Sequence, residues 1–150
     1  MASNTDRANH HKRQCSRRLA LQALYQRQFN EIEPTELYKQ FADDEFWPKS
    51  DHAYFHQLVT GSIEHTKTLD HYISDASDYP VDTIDPIELA ALRIAVYELI
   101  FCLHIPDKVL VSEAIQLCKK FGSDDGYKLV NAVLDKLIKT VDRLQISHQH

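Results

Sequence analysis

The 150-residue chain is 43% hydrophobic with a net charge of −5, but the charge is uneven: residues 1–27 hold six basic residues against Asp6 alone, and residues 28–150 hold 11 Lys and Arg against 21 Asp and Glu. That length and apolar content suit one compact core. Its apolar runs are interrupted by Arg93, Glu98 and His104 well short of the ~20 residues of a membrane helix, and the polar, basic start excludes an ordinary secretory signal, so the expected location is the cytoplasm. Three glycines leave no phosphate-cradling loop or nucleotide hydrolysis, and Cys15, Cys102 and Cys118, odd in number and without a C-x-x-C pair, read as reduced thiols, two of them in the core.

Residues 1–11 are polar and without periodicity, which predicts a flexible basic arm. A first helix follows, with Leu21, Leu24, Tyr25, Gln28 and Phe29 on one buried stripe and Arg13 and Arg17 sharing a face one turn apart. Pro34 opens a short second helix carrying Leu37, Tyr38 and Phe41, and residues 43–50 form a loop. Between Asp51 and Ser77 the helical spacing breaks near Thr66 into two helices. Asp85, Pro86 and Glu88 give the clearest start in the chain, with Ile84 and Leu89 placed for a hydrophobic staple. The helix they open is apolar over so wide an arc that it belongs in the middle of a bundle, with Arg93 and Glu98 in an internal ion pair or polar network. Pro106 starts the next helix, which stops at Lys119, Lys120 and Gly122. Ser123, Asp124 and Asp125 cap a last long helix, and the tail from 145 to 150 is expected to be disordered. No segment alternates with period two, so the expected fold class is all-α.

The segment Lys12-Arg13-Gln14-Cys15-Ser16-Arg17-Arg18-Leu19 and its continuation to Gln26 resembles the arginine-rich opening of the NusB family of bacterial transcription antitermination factors. Further stretches follow that family in order and spacing: Ile87 to Leu99, Val111 to Leu117, Lys120 to Gly122, and Lys128 to Lys136. The resemblance implies a single-domain helical bundle of about seven helices over residues 12–144, no catalytic activity and no cofactor. It implies as partners a short single-stranded RNA signal, boxA, in ribosomal RNA leaders, the small-subunit ribosomal protein NusE, and the RNA polymerase antitermination complex. Gln14 and Cys15 stand where relatives often carry arginine, and Leu129 replaces a common phenylalanine.

A cationic end on an otherwise acidic body is suited to a polyanion. Arg7, Lys12, Arg13, Arg17 and Arg18 are the expected phosphate contacts, the arm attracting and the helix setting register. Lys128 is a second phosphate candidate by its family position, and the amides Gln22 and Asn131 suit base edges, although Asn131 serves equally well bridging helices inside the bundle. Asp124 and Asp125 beside Lys128 would oppose phosphate and modulate affinity. Tyr25 and Glu88 match family positions that face NusE; core packing is the competing role for Tyr25.

His52 and His56, with His65 and His71 nearby, offer only a weak metal pattern without a clear third ligand. A helical adaptor that binds protein alone is the competing function, and a methyltransferase-linked domain is disfavoured because no glycine-rich cofactor domain is present. The residues leave open whether the free protein is a monomer or a homodimer that hides its basic end.

Overall fold

A computed structural model describes residues 3–146 of the chain, the side chain of Ile146 excepted. It contains eight helices and no strand among the described residues, the all-α class expected: α1 (Asn4–Arg27), α2 (Pro34–Phe41), α3 (His52–Glu64), α4 (Thr66–Ala76), α5 (Pro86–Phe101), α6 (Asp107–Phe121), α7 (Gly126–Thr140) and the single turn α8 (Arg143–Ile146). The tail expected from residue 145 lies, beyond Ile146, outside the described residues.

Helix α1 begins earlier than its periodicity suggests. The Asp6 N–H donates to Ser3 Oγ at 3.1 Å while the Ser3 N–H donates to Asp6 Oδ2 at 3.3 Å, a reciprocal capping box. The segment expected as a flexible arm is therefore helical from Asn4 onward, with every side chain from Ser3 to Lys12 exposed. The apolar stripe of α1 also ends sooner: Tyr25 is 37% and Phe29 61% exposed, because the helix stops at Arg27 and Phe29 falls beyond it.

The other boundaries follow their local chemistry. Pro34 stands at the first position of α2, and α3 gives way to α4 at His65. Asp85 caps α5 through Oδ1, which accepts the Ile87 N–H at 2.9 Å. Gly122 ends α6 with an extended backbone, its N–H donating to Cys118 O at 2.8 Å. Helix α7 departs from expectation, since Asp125 stands at its N-cap but makes no side-chain capping bond.

The chain groups into two compact units that divide between Glu64 and His65. In the first, Leu19, Leu21, Leu24, Leu37, Phe41, Phe55, Leu58 and Val59 are buried on α1, α2 and α3. In the second, α5 packs against α4, α6, α7 and α8, and from Glu88 to Ile100 every residue except Arg93 is buried, as a helix apolar on all sides requires. Arg93 forms a two-pronged ion pair with Asp70 of α4, Nε to Oδ1 and Nη2 to Oδ2 both at 2.9 Å. All three cysteines are buried, Cys15 among them.

Candidate nucleic-acid interface

In the first unit, Ser16 fixes α1 on the start of α3. Its Oγ lies 2.7 Å from Asp51 O and 3.0 Å from Lys12 O, and accepts the Asp51 N–H at 2.9 Å. This register brings the expected cations onto aromatic rings. The guanidinium carbons of Arg13 and Arg17 lie 5.5 and 5.6 Å from the centre of the Tyr54 ring, and that of Arg18 lies 4.0 Å from the centre of Phe46. Lys49 joins them, its Nζ 5.4 Å from the same Phe46 ring. A cation held over a ring face keeps its charge and loses rotamer freedom before any ligand arrives.

These cations are not equivalent. Arg7 and Lys12 are exposed, and Arg13 and Arg18 half-buried, so all four reach the surface. Arg17 is 1% exposed and lies inside the unit, which corrects its expected role as a phosphate contact. Arg13 and Arg17 share a face and both lie on Tyr54 of α3, but Arg17 stands one turn deeper, between the buried Cys15 and Ser16 and the buried Leu19 and Ala20. Sequence reading missed Lys49, Phe46 and Tyr54; the interleaving of Phe46, Trp47 and Lys49 in one loop was the available signal.

Gln22 and Tyr25 lie farther along α1, on an open groove of about 600 Å³ lined also by Gln26, Phe29, Gln40 and Phe41. Tyr25 and Phe29 meet edge to face at 5.2 Å, and Gln26 and Gln40 exchange two amide hydrogen bonds of 2.9 and 2.8 Å across it. Tyr25 is thus a surface residue, as a partner contact requires. His52 and His56 are used in stacking, on Trp47 at 4.1 Å and Tyr38 at 3.9 Å. Among the described residues no group of three His, Cys, Asp or Glu is placed to hold a metal ion.

The second unit carries the remaining candidates. Lys128 is exposed and pairs with the exposed Asp125, Nζ to Oδ1 at 3.2 Å. Asn131, one turn along, is exposed rather than bridging helices, and Asp124 is exposed in the preceding turn. Glu88 is 1% exposed, so it is not on a docking surface, which corrects its expected partner role. Its Oε1 instead accepts the Ser123 hydroxyl at 3.0 Å and the Ser123 N–H at 3.3 Å, placing a carboxylate at the start of α7 where Asp125 was expected to cap. Burial raises the Glu88 carboxyl above its ordinary range, the hydrogen bond shared with Asp85 adds to the rise, and the same bond lowers Asp85. The nearby Cys118 thiol is pushed up to about 12, by burial first and then by the Glu88 and Asp85 charges.

The described residues are all-helical, and Arg13 and Arg18 are held on ring faces at the surface, an arrangement suited to a polyanion. Residues 14–139 match the NusB family, and the chain belongs to that family. The transcription antitermination protein NusB of Coxiella burnetii is 42% identical over 122 residues, spanning 81% of this chain and 88% of that protein. NusB of Shewanella amazonensis is 40% identical over 127 residues, 85% and 95% of the two chains. A solved complex of the antitermination factors NusB and NusE with dsRNA contains a chain that matches with a TM-score of 0.76 at 25% identity, over 85% of this chain and 96% of that one. T. maritima NusB shares the fold, with a TM-score of 0.78 at 24% identity over 90% and 96%. The chain is a transcription antitermination factor and not an enzyme. None of its described helices is long and apolar enough to cross a membrane.

Proposed function

We propose that this chain works in the cytoplasm by binding a boxA-type single-stranded RNA of ribosomal RNA leaders together with NusE, and that the pair joins the RNA polymerase antitermination complex. Residues 12–144 form the RNA-binding domain in this reading. Arg7, Lys12, Arg13, Arg18 and Lys128 neutralise phosphates, with Gln22 and Asn131 available to base edges. Arg17 supports the others from within, and Tyr25 with its groove receives NusE. The observation that carries the reading is the pair of ring-braced cations, Arg13 on Tyr54 and Arg18 on Phe46.

The test is a titration of a boxA oligoribonucleotide against a scrambled strand and a duplex, with and without NusE, at two salt concentrations. Arg13→Ala with Arg18→Ala is expected to weaken boxA binding by about tenfold per residue, because a charge-assisted hydrogen bond contributes about 1.5 kcal/mol. The slope of log affinity against log salt should shrink by about 1.4, two phosphates at ~0.7 each. Unchanged affinity and slope would reject the reading, as would equal binding of the scrambled strand. Arg17→Ala is expected to lower the thermal midpoint instead, since its side chain is buried.

Asp125 holds the Lys128 ammonium and adds a fixed negative charge beside it. Asp125→Asn frees that ammonium for phosphate, and the expected result is tighter boxA binding, by up to about fivefold given the ~1 kcal/mol limit of an exposed pair. Filter binding checks it; equal or weaker affinity rejects this role for Asp125.

A further inference from the structure

The resemblance assigns Glu88 to a protein partner, yet its carboxylate lies inside the second unit, where it faces Asp85 at the start of α5, Cys118 of α6 and the turn that begins α7. Ser123 is held through both its hydroxyl and its N–H, at 3.0 and 3.3 Å. A Cβ added to Gly126 would fall 1.4 Å from Glu88 Oε1, and one added to Gly122 would fall 2.8 Å from it. Two glycines thus make room for one carboxylate, and the turn between them wraps around it. Directly outside lie Asp125 and Lys128, and Asn131 follows one turn later, all three exposed.

We infer that Glu88 is a positioning residue for RNA: from inside the second unit it holds the turn between Gly122 and Gly126 and so sets where Lys128, Asp125 and Asn131 are presented to the strand. This rests on the proposed boxA function. The groups that face the carboxylate are Asp85 from the start of α5, Cys118 from α6 and Ser123 from the turn. A glutamine in place of Glu88 keeps the accepting oxygen for Ser123 and adds a donor toward Asp85, whereas alanine leaves the turn without its support.

The test uses the full chain with Glu88→Gln, Glu88→Ala, Ser123→Ala and Lys128→Ala, titrated against the boxA oligoribonucleotide and, separately, against NusE. Glu88→Gln is expected to bind RNA within about twofold of the parent chain, Ser123→Ala about threefold more weakly and Glu88→Ala about tenfold more weakly, each with NusE affinity unchanged. In the Lys128→Ala background the Glu88→Ala loss should shrink to about twofold, a coupling that general loss of structure would not produce. Parent-level RNA affinity in Glu88→Ala and Ser123→Ala, or an effect on NusE alone, overturns the inference. If Glu88→Ala does not fold, the Ser123→Ala and Glu88→Gln results decide. Failure of the parent chain to prefer boxA would reject the functional reading itself, a distinct outcome.

Discussion

Gly126→Ala is expected to destabilise the protein by about 2–3 kcal/mol. The sign is the informative part. An alanine for glycine in an unobstructed helix stabilises by about 1 kcal/mol, so without an obstacle the change would help α7. Here the new Cβ would lie 1.4 Å from Glu88 Oε1, 2.4 Å from its Cδ and 2.8 Å from its Cγ, overlaps that no rotation of the carboxylate alone relieves. Glu88 is buried, so moving it displaces neighbours packed at interior density. Urea unfolding of Gly126→Ala, Glu88→Ala and the double variant measures this directly. The double variant should be more stable than the sum of the singles by about 1.5 kcal/mol or more, because the obstacle is gone. Strict additivity, or a Gly126→Ala protein as stable as the parent, would show that the carboxylate does not occupy that space.

Arg143→Ala should cost about 3 kcal/mol. This residue sits in the one-turn helix α8, beyond the residues matched to the family, and its guanidinium closes the end of α5. Nε donates to Leu99 O at 2.9 Å, Nη1 to Ile105 O at 2.7 Å and Asp107 Oδ1 at 3.0 Å, and Nη2 to Glu98 O at 3.2 Å and Cys102 O at 2.9 Å. The last carbonyls of a helix have no partner within it and carry the negative end of the dipole, so a planar cation with five donors answers both needs. Lysine presents a point charge with three donors, and Arg143→Lys should recover less than half of the loss. Asp107→Asn should cost at most about 1 kcal/mol, since Asp107 is partly solvated and four carbonyl contacts remain. A shift in urea midpoint with unchanged slope is the expected signature; an Arg143→Ala midpoint equal to the parent's would reject this role.

The helices were readable wherever the signal is local. Pro34, the break near Thr66, the Asp85 and Pro86 start and the Gly122 stop each act through backbone geometry within a few residues, and each boundary lies where those residues put it. The capping box of Ser3 and Asp6 is equally local but was hidden by a segment with no apolar period, which reads as an arm. The four surface cations among the candidates on α1 were legible as charge; Tyr25, placed on the buried stripe by its period, is exposed only because the structure packs nothing over it, and Arg17 was not separable from Arg13 by spacing, because both occupy one face. Lys49 was overlooked because its only local signal, Phe46 and Trp47 just before it in an acidic loop, gains meaning once Phe46 is seen beneath the ammonium.

By itself the amino-acid sequence determined the all-α class, most helix boundaries, the buried centre of α5 and the family, since periodicity, capping and motif order are properties of neighbouring residues. Only the tertiary structure decided that Glu88 faces inward to Ser123, 35 residues away, and that Arg143 reaches α5 from 41 to 45 residues beyond the carbonyls of Cys102, Leu99 and Glu98. A polar side chain is stable inside only when distant chain supplies its hydrogen bonds, and no local pattern records which distant segment will do so.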